Sequence, residues 1–88
     1  MRLKECIRKN GLQIEVDTLE GWQSVDIDFI NADGREDETQ FDVKAVCTRS
    51  GIDELEKLYR DFCRENRFPE NTVQSVTVVK NANSLEKL

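Results

Sequence analysis

The sequence predicts an α+β fold of two layers, in which one amphipathic helix packs on one face of a mostly antiparallel sheet of four or five strands. Two patterns carry this prediction. Residues 22–30 alternate apolar and polar side chains, which is the period of a half-buried strand. Residues 50–64 repeat apolar side chains every three or four positions, which is the period of an amphipathic helix. No linker or repeat divides the chain, so we expect one domain over residues 1–80 and a C-terminal tail over residues 81–88.

The N-terminal segment has two interpretations. Asn10 and Gly11 favour a two-residue hairpin turn, because both positions of a type I′ turn need a positive φ. The preferred interpretation is therefore a hairpin between residues 2–9 and the alternating residues 12–17. The alternative is a short helix over residues 2–9 that ends near Gly11.

The clearest strand, residues 22–30, has two chemically different sides. Val25, Ile27 and Phe29 point to one side, and we expect them in the core. The opposite side carries Trp22, Ser24, Asp26, Asp28 and Ile30. A single helix covers only one face of a sheet, so this second side is expected to be open to solvent or to a partner.

The next strand is predicted over residues 41–47, whose odd-numbered positions are apolar. A tight turn at the preceding Asp-Gly dipeptide would mix apolar and polar faces, so a longer loop is expected. The register that aligns the apolar residues places Phe29 opposite Phe41 and Asp28 opposite Asp42.

The helix is predicted to begin at Ser50, whose hydroxyl is a favourable N-cap with Asp53 three residues later. Pro69 prevents the helix from continuing. Residues 72–80 carry valine on both faces, which predicts a last strand at a partly interior position of the sheet. The apolar stripe of the helix comprises Ile52, Leu55, Leu58, Tyr59, Phe62 and Cys63.

Acidic residues are concentrated in one part of the chain. The 88 residues carry a net charge of −5, yet residues 15–42 hold ten acids and a single base, Arg35. Phosphates and anionic membranes attract clustered lysine and arginine, so direct binding to nucleic acid or to a membrane is not expected. No apolar run is long enough to span a bilayer, and the first residues lack the apolar region of a secretory signal. A cytoplasmic location is therefore predicted.

The chain offers no sequence signature of catalysis. It contains no histidine, which removes the commonest general base and most zinc sites. Cys6, Cys47 and Cys63 are too widely spaced for a metal or redox motif, and the last two are expected to be buried as small apolar residues. We therefore predict a protein that is not an enzyme and that needs no cofactor or metal ion.

The predicted function is a protein–protein interaction or regulatory module that binds through the acidic, open side of the sheet. Another protein with a basic segment is the expected partner, and a second copy of the chain is the other occupant considered. Two alternatives stay open: an acidic decoy of nucleic acid, and a cation-binding module or small enzyme that uses Asp26, Asp28 and Asp42. The residues assigned to the binding surface are Trp22, Asp26, Asp28, Ile30, Asp42 and Val46.

Overall fold

The computed structural model describes residues 1–82, which form a four-stranded sheet and two helices. The α+β class predicted from the sequence is confirmed, although a second helix joins the predicted one. Neither helix in this range has the length and apolar character that crossing a membrane requires. The elements are α1 (Leu3–Asn10), β1 (Gln13–Ile14), β2 (Trp22–Ile30), β3 (Glu36–Lys44), α2 (Arg49–Asn66) and β4 (Val73–Asn81).

The four strands lie in the order β1–β4–β2–β3. β2 pairs antiparallel with both β3 and β4, whereas the two residues of β1 pair parallel with β4. The sheet is therefore mixed but mostly antiparallel, as predicted. Its longest exposed edge is β3, which has nine residues and pairs only with β2 among the described strands.

The core lies between the sheet and the helices, and Phe29 of β2 is its largest sheet-derived member. The ring centroid of Phe29 lies 5.9 Å from that of Tyr59, 5.8 Å from that of Phe62 and 5.4 Å from that of Phe68. The predicted alternation of β2 is confirmed, because its apolar side is fully buried: Val25, Ile27 and Phe29. The stripe of α2 divides into the buried Leu55, Tyr59 and Cys63 and the half-buried Ile52, Leu58 and Phe62.

The preferred interpretation of the N-terminal segment is wrong, and the alternative is confirmed. Residues 3–10 form a helix, α1, and Gly11 follows it with a φ of 75° and an amide that donates to the carbonyl of Ile7. Leu3 and Cys6 are buried on one side of this helix. Gly11 thus ends a helix and does not turn a hairpin. Burial of the apolar side of this helix against β4 and α2 stabilises the fold more than an isolated pair of strands would.

The predicted register between β2 and β3 is also wrong. Phe41 lies opposite Val25 instead of Phe29, and Asp42 lies opposite Ser24. The expected register aligned apolar residues of the two strands on the assumption that the second strand begins at Phe41. β3 begins five residues earlier. The three consecutive acids at its start hid this strand, because acidic residues are depleted in strands generally.

The loop over residues 31–35 determines this register. The side-chain oxygen of Asn31 accepts hydrogen bonds from the amides of Asp33 and Arg35, at 2.9 and 3.2 Å. Gly34 adopts a φ of 78°, which side chains disfavour. The loop is therefore longer than a two-residue turn, as predicted, and apolar residues of β2 and β3 share one face.

α2 begins two residues earlier than expected, because Thr48 and not Ser50 is its N-cap. The Thr48 hydroxyl oxygen accepts from the amide of Gly51 at 3.1 Å, and the same hydroxyl donates to the carbonyl of Ala45 at 2.7 Å. A single side chain thus joins the end of the β3 segment to the first turn of the helix. The predicted role of Ser50 is wrong.

Replacing Thr48 with alanine is expected to lower the free energy of unfolding by about 1 kcal/mol, because the N-cap bond to Gly51 is lost. Ser50→Ala is the matched control, and we expect it to cost only a few tenths of a kcal/mol. Urea denaturation of both variants measures the difference. A larger loss for Ser50→Ala than for Thr48→Ala would contradict this assignment of the cap.

β4 confirms the predicted last strand and its interior position between β1 and β2. It extends through Asn81, and the amide of Ala82 donates to the carbonyl of Trp22 at 2.9 Å. The first two residues of the predicted tail are therefore joined to the sheet. The rest of that tail, residues 83–88, lies outside the described residues.

Candidate functional site

No helix covers the second side of the sheet within residues 1–82. Alternate residues of β2 and β3 point to this side, because successive side chains of a strand point in opposite directions. Antiparallel pairing sets Asp28 opposite Glu38 and Asp26 opposite Gln40. We call the five carboxylates that share this side the acidic face: Asp26, Asp28, Glu36, Glu38 and Asp42.

Neutral donors orient the three aspartates of the acidic face. Gln40 donates its side-chain N–H to Asp26 at 2.8 Å, and the hydroxyl of Ser75 on β4 donates to Asp28 at 2.7 Å. The hydroxyl of the buried Ser24 donates to Asp42. Each bond engages one oxygen of the carboxylate and brings no positive charge. These contacts hold the side chains in place while the face keeps its negative charge.

Acids on the helical side of the molecule are in a different situation, because several are paired with bases. Lys4 on α1 lies 2.7 Å from Asp53 and 3.6 Å from Glu56, and Arg60 lies 3.1 Å from Glu56. The contact with Asp53 raises the pKa of Lys4, and the same contact lowers the pKa of Asp53. Within residues 1–82, no lysine or arginine nitrogen forms an ion pair with the acidic face.

A groove of about 530 Å³ lies at the end of the acidic face that is next to the loop over residues 31–35. Asp28 and Ser75 form one side of it, and the start of β3 forms the other. The groove has room for the end of a lysine or arginine side chain, and four carboxylates are available to accept its hydrogen bonds. Its lining consists of Asp28, Glu36, Asp37, Glu38, Gln74 and Ser75.

The structure does not bring the predicted apolar anchors together. Trp22 and Ile30 are both half-buried, but they lie at opposite ends of the nine-residue strand β2. At about 3.3 Å per residue, this separation is roughly 26 Å. Trp22 lies opposite Lys44, and Ser24 lies between Lys80 and Asp42, so the tryptophan end of the sheet carries two lysines beside one acid of the acidic face.

Val46 was assigned to the open side by alternation, and this assignment is wrong. Its side chain is fully buried in the core, and its amide donates to the side-chain oxygen of the buried Gln23 at 3.0 Å. β3 ends at Lys44, and the positive φ of Ala45 redirects the chain. Alternation stops there, which also explains why Cys47 is exposed instead of buried as predicted.

Two residues of the acidic face, Glu36 and Glu38, were not found from the sequence. They alternate with Gln40 and Asp42 at steps of two, which is the strand signal, but no apolar residue accompanies them until Phe41. An additional signal was the Asp-Gly dipeptide between Asn31 and Glu36, because it favours a turn after which a new strand can begin. Neutral partners such as Ser75 could not be found, because strand order is not encoded locally.

The residues considered for chemistry are poorly suited to it. Within residues 1–82, no group of three or more histidine, cysteine, aspartate or glutamate side chains is arranged to hold a metal ion. Asp42 lies opposite Ser24 instead of Asp28, so the three predicted aspartates do not converge in the expected pairing. Burial raises the pKa of the Cys63 thiol, which disfavours the reactive thiolate.

Tyr59 is the remaining candidate, and burial raises the pKa of its hydroxyl strongly above the ordinary value of 10.0. The neighbouring Cys63 thiol contributes in the same direction. The native state therefore keeps this proton at a pH at which the unfolded chain loses it. The resulting stability is fully present below about pH 10 and is lost progressively as the pH rises above it.

We expect the melting temperature to fall above pH 10, and we expect Tyr59→Phe to make this fall shallower. The variant should unfold no more easily than the native protein at pH 7, because the hydroxyl has no hydrogen-bond partner among the described residues. Tyr59 is the only tyrosine, so tyrosinate absorbance near 295 nm reports it alone. Ionisation near pH 10 in the folded protein would contradict this expectation.

Comparisons of the chain with protein-family models, with curated proteins and with solved structures found no match.

Proposed function

We propose that the protein is a non-enzymatic interaction module that binds a basic segment of another protein through the acidic face. One observation carries the proposal. Several acids of the helical side are paired with bases, whereas the three aspartates of the acidic face accept hydrogen bonds from neutral donors, and none of its five carboxylates forms an ion pair with lysine or arginine within residues 1–82. Such a surface gains the most from a ligand that supplies the missing positive charge.

The expected affinity follows from the energy of exposed ion pairs. Each contributes at most about 1 kcal/mol, because water and salt screen it. Several lysine or arginine side chains must therefore bind together, and the complex must weaken as salt shortens the Debye length. The groove beside Asp28 gives one such side chain a less exposed position.

The raised pKa of Cys63 agrees with the non-enzymatic part of the proposal, because it disfavours the nucleophilic thiolate. The proposal keeps the cytoplasm as the location. Three free thiols are typical of proteins from a reducing compartment.

The test is a titration of the protein with nona-lysine, followed by amide chemical shifts at low and high salt. We expect shifts on β2 and β3 that disappear at high salt. Glu36→Gln combined with Glu38→Gln should weaken binding severalfold, because two charges of the face are removed.

The matched control is Glu54→Gln combined with Glu65→Gln, which removes the same charge from exposed positions of α2. We expect this pair to bind nona-lysine almost as the native protein does. Equal weakening by both pairs, or shifts spread over both sides of the sheet, would show that only net charge matters and would refute the proposal.

A further inference from the structure

The outer edge of β3 has a defined hydrogen-bonding pattern. The amide of Ala45 donates to Gly21 at one end of the β2–β3 pair, and the amide of Asn31 donates to Arg35 at the other. Both contacts involve odd-numbered residues of the β3 segment. Because successive residues of an antiparallel strand direct their backbone groups to alternate sides, the odd-numbered residues face β2 and the even-numbered ones face outward.

Five residues therefore present their backbone N–H and C=O groups at the free edge: Glu36, Glu38, Gln40, Asp42 and Lys44. The amide of Glu38 agrees with this assignment, because it donates to the side chain of Asp37 at 2.8 Å and not to β2. Three acids of the acidic face are among these five residues. The edge whose backbone groups have no strand partner within residues 1–82 is thus also an edge of strong negative charge.

The other side of β3 begins with the exposed Asp37 and the half-buried Thr39 and becomes apolar at Phe41 and Val43. Phe41 is half-buried, and its ring centroid lies 5.9 Å from that of Phe62, which is also half-buried. A strand added beside β3 would direct alternate side chains onto the acidic face and onto these two rings. One edge thus presents three different features that select a ligand: backbone groups, carboxylates and an aromatic pair.

We propose that β3 accepts an extended segment of another protein as a fifth strand, and that this segment alternates lysine or arginine with apolar residues. The inference rests on the proposed function and deepens it, since it specifies how the basic segment binds. The basic side chains lie beside Glu36, Glu38 and Asp42, and the apolar ones extend the core over Phe41.

A second copy of the chain is a poorer occupant of this edge. If two β3 strands paired antiparallel about Gln40, Glu38 of each copy would lie opposite Asp42 of the other and Glu36 opposite Lys44, and two strands with four acids and one lysine each would be brought together. Like charges in directly opposite positions destabilise a strand pair. The acids therefore protect the edge from self-association while they select a basic ligand.

The first experiment uses two nine-residue peptides of the same composition. One alternates lysine with valine, and the other groups the lysines together and the valines together. We expect the alternating peptide to bind about tenfold more tightly, because only it can satisfy both sides of the added strand. On saturation, hydrogen exchange should slow at the outward amides of Glu36, Gln40 and Asp42.

The second experiment uses Gln40→Pro, which removes one outward N–H at an edge position where proline is tolerated. Gln40→Ala is the reference for this variant, because both substitutions remove the side-chain hydrogen bond to Asp26 and only proline also removes the amide. We expect the proline variant to bind the alternating peptide about tenfold more weakly than the alanine variant does. If the proline variant does not fold, the hydrogen-exchange measurement on the native protein decides whether the peptide adds to β3 as a strand.

The outcomes distinguish this inference from the proposed function. Equal binding of both peptides with unchanged exchange at the outward amides would leave the acidic face as a binding surface and would refute strand addition. Failure of both peptides and of nona-lysine to bind would refute both proposals. Sedimentation could reveal a dimer in the absence of peptide. If hydrogen exchange showed the outward amides to be protected in that dimer, the edge would be assigned to a second copy and the inference would be overturned.

Discussion

Replacing Gly51 with alanine is expected to lower the free energy of unfolding by about 3 kcal/mol, at the upper end of the cost of overpacking. Gly51 is buried in the first turn of α2, where the helix crosses the chain that leaves β3. A β-carbon at this position would overlap the carbonyl oxygen of Ala45 and would lie 2.7 Å from its carbon and 2.8 Å from the α-carbon of Val46. These are backbone atoms, so no side-chain rotation relieves the clash.

The measurement for Gly51→Ala is urea denaturation, with the slope compared with that of the native protein. Glu54→Ala serves as the control, because Glu54 is exposed on the same helix and alanine has the higher helix propensity. We expect the control to change stability by less than about 0.5 kcal/mol. A neutral or stabilising Gly51→Ala would show that α2 and the β3 end are not in close contact.

Replacing Phe29 with alanine is expected to cost about 3–5 kcal/mol, the range for large aromatic residues in a core. Phe29 is fully buried near the end of the interior strand β2 and contacts three aromatic rings from α2 and the segment after it. A domain of this size has a total stability of roughly 4–13 kcal/mol, so the variant will be partly unfolded if the native value is at the low end.

Thermal unfolding with far-ultraviolet circular dichroism measures the effect of Phe29→Ala. Ile14→Ala is the control, because Ile14 is an apolar residue of the same sheet with 48% of its surface exposed. We expect this control to be nearly neutral. A cost below about 1 kcal/mol for Phe29→Ala would contradict the aromatic cluster as the centre of the core.

The parts of the fold that the sequence predicts correctly are those with a regular period. β2 alternates from Val25 to Phe29, and α2 repeats apolar residues for about three turns. In both elements the period reflects one side packed against the core, so a local pattern is sufficient. β4 was recognisable from its local composition, since valines such as Val76 and Val79 lie on both of its sides.

The N-terminal segment was predicted wrongly because its local and tertiary preferences disagree. Asn10 and Gly11 are strong turn residues, and the same positive φ of Gly11 serves a hairpin or the end of a helix. The choice depends on the surface that receives Leu3 and Cys6. That surface includes β4, about 70 residues later in the sequence, so no local window contains the information.

The candidate site was predictable only in part. Asp26 and Asp28 lie on β2, whose alternation is clear, and the structure places both on the side without a helix. Val46 was misplaced because alternation cannot be extended past the turn at Ala45. Glu36 was missed because a strand of acids at a sheet edge resembles a loop in composition.

The position of β4 sets the order in which the molecule can be completed during synthesis. This strand is the last element of residues 1–82, yet it lies inside the sheet, and the amide of Val73 donates to the carbonyl of Met1. Contacts between such distant segments require most of the chain to be present. A ribosome must therefore release residues through β4 before α1 has the strand against which it packs. Resistance of the N-terminus to proteases is thus a property that the nascent chain acquires only after β4 has emerged.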